Sequence, residues 1–187
     1  MIEKPILFST PMVKAILDGQ KTQTRRTIPE KIVDKYYEYD DWCRSVGSCG
    51  LPTERLWEKD VFTQKARWQI GDILWVRETF IKTLSIDDKI HYEYRADYSD
   101  IMADEVVWRP SIFMPREACR IKLLVKNVRV ERLNDITNED AIAEGIDMNN
   151  TACIEPMNAF AILWESINGK GSWANNPWVW VIEFETT

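Results

Sequence analysis

Gly19-Gln20-Lys21-Thr22-Gln23-Thr24-Arg25-Arg26 is a corner between a helix and a strand, and the topology is read outward from it. On its N-terminal side Thr10 is a good cap and Pro11 suits a first helical turn. Met12, Ala15 and Ile16 then recur at helical spacing, and Gly19 supplies the left-handed residue that ends many helices. Before the helix, Ile6-Leu7-Phe8 reads as a short apolar strand. Beyond the corner, Thr22 to Ile28 reads as extended. Alternation puts Thr22, Thr24 and Arg26 on one face, and Gln23, Arg25 and Thr27 on the other. Polar and cationic groups therefore leave a sharp turn together, where they can be aimed at a ligand.

The chain has 187 residues, a length that suits one domain with a sizeable insertion, and its 45% hydrophobic content can fill a core. A mean hydropathy of -0.34 and the lack of any long apolar run argue against a membrane span. Met-Ile-Glu-Lys-Pro lacks the pattern of a secretion signal, so a cytoplasmic protein is expected. Cys43, Cys49, Cys119 and Cys153 include no C-x-x-C pair, and His91 is the single histidine. Free thiols, no metal and no cofactor are expected. Chemistry without a second histidine falls to Lys, Thr, Glu, Asp or Arg.

The net charge of -6 opposes a broad nucleic-acid-coating surface. Its distribution is uneven. Residues 1–36 carry seven Lys/Arg against four acids, and residues 105–132 carry seven against three, on an otherwise acidic body. Such local basic segments fit a discrete anionic ligand better than non-specific binding.

Residues 29–69 have weak periodicity and read as an insertion packing over an edge or lidding a pocket, with a loop at Val46 to Gly50. Gly71-Asp72 turns into the strand Ile73 to Phe80. There Ile73, Trp75, Arg77 and Thr79 share one face, and Leu74, Val76, Glu78 and Phe80 the other. A charge on each face needs either an ion-pair partner or a cavity. Ile90 to Arg95 is a further strand within a long loop region, 85–117, which also holds Trp108-Arg109-Pro110 and Arg116. Arg120 to Leu133 should be the longest strand, broken by a bulge near Asn127. Thr137 caps a helix that Gly145 closes, leaving Glu144 at the end the helix dipole disfavours for an acid. Pro156 to Ile167 is a helix burying Phe160, Leu163, Trp164 and Ile167, and Trp178 to Phe184 is the last strand. The order predicts an α+β fold: a small, mostly antiparallel β-barrel with flanking helices and an insertion.

Gly19, Lys21, Thr24 and Arg26, in that register, resemble the signature of the ASCH domain of the PUA-like β-barrel superfamily. The resemblance extends to Gly71-Asp72-Ile73-Leu74, to Leu133 through Gly145 and to the closing Val179 to Phe184 strand, but not to 29–69 or 85–117. It implies a single domain over 1–187. The Lys-Thr-Gln-Thr-Arg-Arg and Trp-Val-Arg-Glu-Thr strings are also similar to long phage and prophage members.

Threonine at position 24 resembles the bacterial branch of that family that removes the acetyl group from acetylcytidine. The resemblance implies Lys21, Thr24 and Glu144 as catalytic residues, with Glu139 competing for the third place. The substrate-binding residues would be Arg26, Trp75, Arg77, Glu78, Trp108 and Arg109. A threonine hydroxyl needs a base, and a lysine beside Arg25 and Arg26 can be one if its pKa falls. Strict alternation separates Lys21 from Thr24, so the turn after Gly19 must reorient Lys21. The alternatives are an RNA-binding module using Trp108, Arg109, Arg116 and Arg77, and an interaction protein using its nine tryptophans as surface. The expected partner is a small nucleoside-like ligand or RNA, with no membrane and no oligomeric state read.

Overall fold

Trp178-Val179-Trp180-Val181-Ile182 is apolar on both faces, and the fold buries both. The computed structural model describes residues 2–45, 56–84, 90–99, 102, 105–147 and 154–187. Its elements are β1 (Glu3–Leu7), α1 (Thr10–Leu17), β2 (Gln23–Thr27), α2 (Glu30–Ser45), α3 (Leu56–Gln64), β3 (Ile73–Arg77), β4 (Phe80–Leu84) and β5 (Ile90–Tyr94). They continue with β6 (Lys122–Arg132), α4 (Asn138–Ala143), α5 (Pro156–Asn168) and β7 (Trp178–Thr186). Five strands form one sheet in the order β1-β3-β6-β7-β2, and β4 and β5 form a separate antiparallel pair.

The barrel expectation is corrected. β1 joins parallel to β3, the other ladders are antiparallel, and β1 and β2 are two unpaired edges. Pro5, which has no N–H to donate, suits an edge strand. The sheet curls until one side chain spans the gap: Arg26 Nη2 on β2 donates to the Leu7 carbonyl on β1 at 2.7 Å. The result is a mixed α+β fold with an open seam where a barrel would close.

Trp178, Trp180, Ile182 and Phe184 face the main core inside the curl, with Leu74, Val76, Leu123, Val125 and Val128. Val179 and Val181 face a second core, made by Leu133, Ile136 and Ala141 with Phe160 and Trp164 of α5. The 29–69 stretch supplies α2 and α3. Ile32, Val33 and Tyr36 pack on the main core, and Phe62, Ala66 and Trp68 belong to it. Charged residues dilute these apolar positions, which is why the helices were illegible in the periodicity. The loop at Val46 to Gly50 lies outside the described residues.

The expected strand from Ile73 to Phe80 divides in two. Glu78 N–H donates to Met114 Sδ at 3.1 Å, so the chain leaves the sheet there and β4 starts a new pair. The expected alternation survives the break: Leu74, Val76, Glu78 and Phe80 are all buried. Glu78 is accounted for by a bidentate contact from Arg120, whose Nε and Nη2 each lie 2.9 Å from its carboxylate. The bulge in β6 falls between Val125 and Asn127. Ile167 is not buried as expected; it is 53% exposed, in the last turn of α5 at the border of the cavity described below. Of the cysteines, only the Cys119 side chain is described; it is a free thiol, and burial pushes its pKa up. No described helix is long and apolar enough to cross a membrane.

If residues 56–69 belong to the core, Phe62→Ala should cost about 3–5 kcal/mol in urea unfolding. Leu84→Ala, at an exposed position, should stay within roughly 0.5 kcal/mol. Equal effects would show that α3 is an appendage.

Candidate functional site

The α1–β2 corner folds as its residues require. Gly19 has φ +73°, and the Gln20 and Lys21 amides both donate to the Ala15 carbonyl at 2.9 Å. The strand begins only at Gln23, so Lys21 precedes the alternation that would have turned it away from Thr24. Its ammonium lies 5.6 Å from the Phe8 ring, which Arg26 also covers at 5.4 Å. Lys21 and Arg26 thus share a flank.

Glu144 reaches the corner from α4. Thr137 caps the start of that helix by accepting the Asp140 amide at 3.1 Å, and Glu144 ends it. Gly145 follows with φ +89°. A methyl group there would sit 2.8 Å from Ala15 Cβ and 3.1 Å from Lys21 Cβ, so glycine is needed for conformation and for close approach. The Thr22 amide donates to the Ala143 carbonyl at 2.9 Å, which pins the corner to the end of the helix.

The side chains at this contact are buried: Lys21 is 2% exposed, Thr24 1%, Arg25 3% and Glu144 3%. Lys21 Nζ donates at 2.8 Å to Glu144 Oε2 and at 2.8 Å to the Glu144 carbonyl. It therefore neutralises the carboxylate and caps the helix end that disfavours it. Glu144 Oε1 accepts from Arg25 Nη1 at 3.2 Å. Arg25 also donates to Glu131 and, at 3.0 Å, to Asp140. Gln23 and Arg129 both donate to Asp140, completing a buried polar layer. Burial raises the Asp140 pKa, but Gln23, Arg25 and Arg129 outweigh it, and the net direction is down. For Lys21, burial pushes the pKa below the ordinary 10.5; Glu144 works against that, and Arg25 and Arg26 reinforce it.

Thr24, Arg25, Arg26 and Glu144 border a cavity of about 430 Å³. Its other walls are largely apolar and aromatic, including Trp68, Phe160, Trp164 and Trp180. The indole N–H groups of Trp68 and Trp164 are buried without a hydrogen-bond partner. Such a chamber suits a flat, partly polar ligand. Lys21 is not in the wall and reaches the cavity through Glu144.

The other sequence-derived residues scatter. Glu139 is exposed on α4 and does not border the cavity. Arg77 lies in the seam, next to this cavity rather than in it. Trp75 is sandwiched by Arg77 and Arg116, and Glu78 is held by Arg120. Trp108 packs edge-on against Tyr98, and Arg109 covers Phe80. Arg116 bonds Glu3. None of these seven borders the cavity. Sequence reasoning missed the aromatic walls from α3 to α5 and the pivotal place of Arg25. Alternation had put Arg25 on the Gln23 face, and that was the available signal.

The sequence matches no protein-family model and no curated protein. Among solved structures, it is similar to a protein of Enterococcus faecalis V583 described under the family model DUF984. That superposition has a TM-score of 0.37 and 10% identity, over 93% of this chain and 65% of the other, so the chain spans just under two thirds of that protein's length. It is also similar to an ASCH domain from Lactobacillus crispatus JV V101, with a TM-score of 0.37 and 12% identity, over 99% of this chain and 79% of the other. At that degree of superposition, neither carries an argument about chemistry.

Two outcomes test this geometry. Gly145→Ala should lower stability by roughly 1–3 kcal/mol, and by more than Gly169→Ala, which has a similar φ but open space around it. Equal losses would refute the close approach to Ala15. For Lys21, the folded pKa is lowered, so the unfolded chain binds more protons between that value and 10.5. Wild-type stability should therefore rise, relative to Lys21→Met, as pH increases through that window. A flat or falling difference would contradict the assigned direction.

Proposed function

We propose that the protein is an amidohydrolase acting on an acylated nucleoside, with Thr24 as nucleophile, Lys21 as base and Glu144 as the group that orients Lys21. The observation that carries this reading is a buried Lys21–Glu144 pair at the edge of a chamber that Thr24 also borders. The same burial favours the neutral amine. A neutral lysine has two N–H groups and one lone pair. The two N–H groups match its two bonds to Glu144, leaving the lone pair to take the Thr24 proton.

The Thr24 hydroxyl then attacks the acyl carbonyl carbon, and the oxygen of the tetrahedral adduct gathers negative charge. Arg26, on the wall of the same chamber, is the available cation to stabilise it. Collapse breaks the C–N bond, and the proton held by Lys21 passes through Glu144, which borders the chamber, to the departing exocyclic amine. Water, giving its proton to Lys21 through Glu144, attacks the acyl-threonine ester; the acyl C–Oγ bond breaks, the acid is released, and the proton returns from Lys21 to Thr24. The aromatic walls supply stacking for the base. The 430 Å³ volume falls in the range of small-molecule sites. The alternative is an RNA-binding module, for which Arg109 is exposed, Trp108 packs edge-on against Tyr98, and Arg116 pairs with Glu3 at the surface.

With acetylcytidine as substrate, Thr24→Ala and Lys21→Met should each lower kcat/KM by at least about a thousandfold, with circular dichroism unchanged. Wild-type kcat/KM should rise with pH along an ionisation below the ordinary lysine value. A folded wild-type protein inert towards a panel of acylated nucleosides ends the reading.

A further inference from the structure

The seam between the sheet edges is itself a cleft of about 340 Å³, lined by Pro5, Ile6, Leu7, Arg26, Arg67, Trp68 and Arg77. Three of these seven residues are arginines, and none is an acid. Elsewhere in the molecule, Arg25, Arg116, Arg120 and Arg129 each meet at least one carboxylate. The seam arginines form no ion pair among the described residues, although the Glu144 charge acts on Arg26. Arg26 bonds the Leu7 carbonyl and covers Phe8; Arg67 covers Trp68; Arg77 bonds the Ile112 carbonyl and covers Trp75.

Two residues that line the cleft carry buried donors without hydrogen-bond partners, Arg77 Nε and Trp68 Nε1. In a chain of net charge -6, three guanidinium groups without acids in one concavity form a local anion trap. Planar guanidinium forks match the oxygens of a phosphate bidentately. Arg26, Arg67 and Trp68 line both this cleft and the apolar chamber, so the two volumes adjoin across a shared wall.

We propose that the seam is a phosphate subsite, and that the ligand is a phosphorylated nucleoside whose base enters the adjoining chamber. The phosphate subsite rests on the seam alone; the acylated base in the chamber rests on the hydrolase reading. The phosphate ester is either that of a free nucleotide or one within an RNA strand. Arg26 holds a special place, because it links the two sheet edges and faces both volumes. Arg67 is exposed, with its guanidinium over the Trp68 ring at the cleft.

The test compares cytidine, cytidine 5′-monophosphate and a short cytidine oligonucleotide, with binding followed by the tryptophan indole N–H signals. The monophosphate should bind at least roughly tenfold tighter than cytidine, as expected for charge-assisted hydrogen bonds. Arg67→Ala and Arg77→Ala should each remove most of that preference. Arg67→Ala serves if the half-buried Arg77 variant fails to fold. Inorganic phosphate should shift the Trp68 indole signal. Tighter binding of the oligonucleotide, falling with salt, identifies RNA as the phosphate source; equal binding identifies the free nucleotide. Equal affinities for cytidine and its monophosphate, or a preference that survives both substitutions, overturn the proposal. A phosphate preference without amide hydrolysis retains the subsite and removes the hydrolase, whereas hydrolysis without the preference does the reverse.

Discussion

A carboxylate without water, held between an ammonium and a guanidinium, is the constraint on which the rest of the site depends. Glu144 sits at a helix end where the backbone carbonyls already concentrate negative charge. Lys21 and Arg25 offset both that field and the desolvation of the acid. A buried ion pair of this kind contributes little net stability compared with a packed apolar pair, but removing one partner leaves an uncompensated charge. The arrangement is therefore intolerant of displacement. It forces the end of α4 against the α1–β2 corner, and the Gly145–Ala15 contact shows how closely the two meet.

Period-two alternation in β2 divides the labour between adjacent arginines. Arg25, with its side chain fully buried, binds Glu131, Asp140 and Glu144 through its two terminal nitrogens, while its Nε has no partner. Arg26 points to the other face, where it meets a carbonyl and an aromatic ring but no acid. One guanidinium is committed to the protein and its neighbour retains capacity for a ligand. Had the sheet closed into a barrel, a backbone ladder would fill the seam that Arg26 now spans. The open edge and the unpaired cations are two aspects of one geometry.

Much of the architecture was legible because it depends on short-range signals. Thr137 and Gly145 bound their helix through a cap and a left-handed turn, and buried alternation ran from Leu74 to Phe80 as the pattern required. The bulge near Asn127 was visible as a break in period. Three features were not legible, for physical reasons. Sheet closure depends on long-range edge pairing, which period-two patterns do not encode. α2 and α3 present few apolar residues among many charges, and their core contribution comes from Ile32, Val33, Tyr36 and Phe62 rather than from a continuous stripe. The exchange of Glu78 from a supposed ligand contact to the partner of Arg120 turns on a residue 42 positions away in sequence. Of the candidate site, the corner and Glu144 were readable from local residues. The chamber walls were not, because they come from segments widely separated along the chain.

The choice of lysine at position 21 is the remaining step. If the role were only to neutralise Glu144 and cap its helix, an arginine would serve better, since its charge persists under any desolvation and its fork matches a carboxylate. Arginine already performs that task from position 25. A lysine in the same layer adds one property that arginine lacks: it can exist without its proton at accessible pH when burial and neighbouring cations lower its pKa. Both of those influences act on Lys21, and its two bonds to Glu144 need no more N–H groups than the neutral amine retains. The pair can therefore keep its geometry while the proton leaves. A structural contact becomes compatible with base chemistry for that reason.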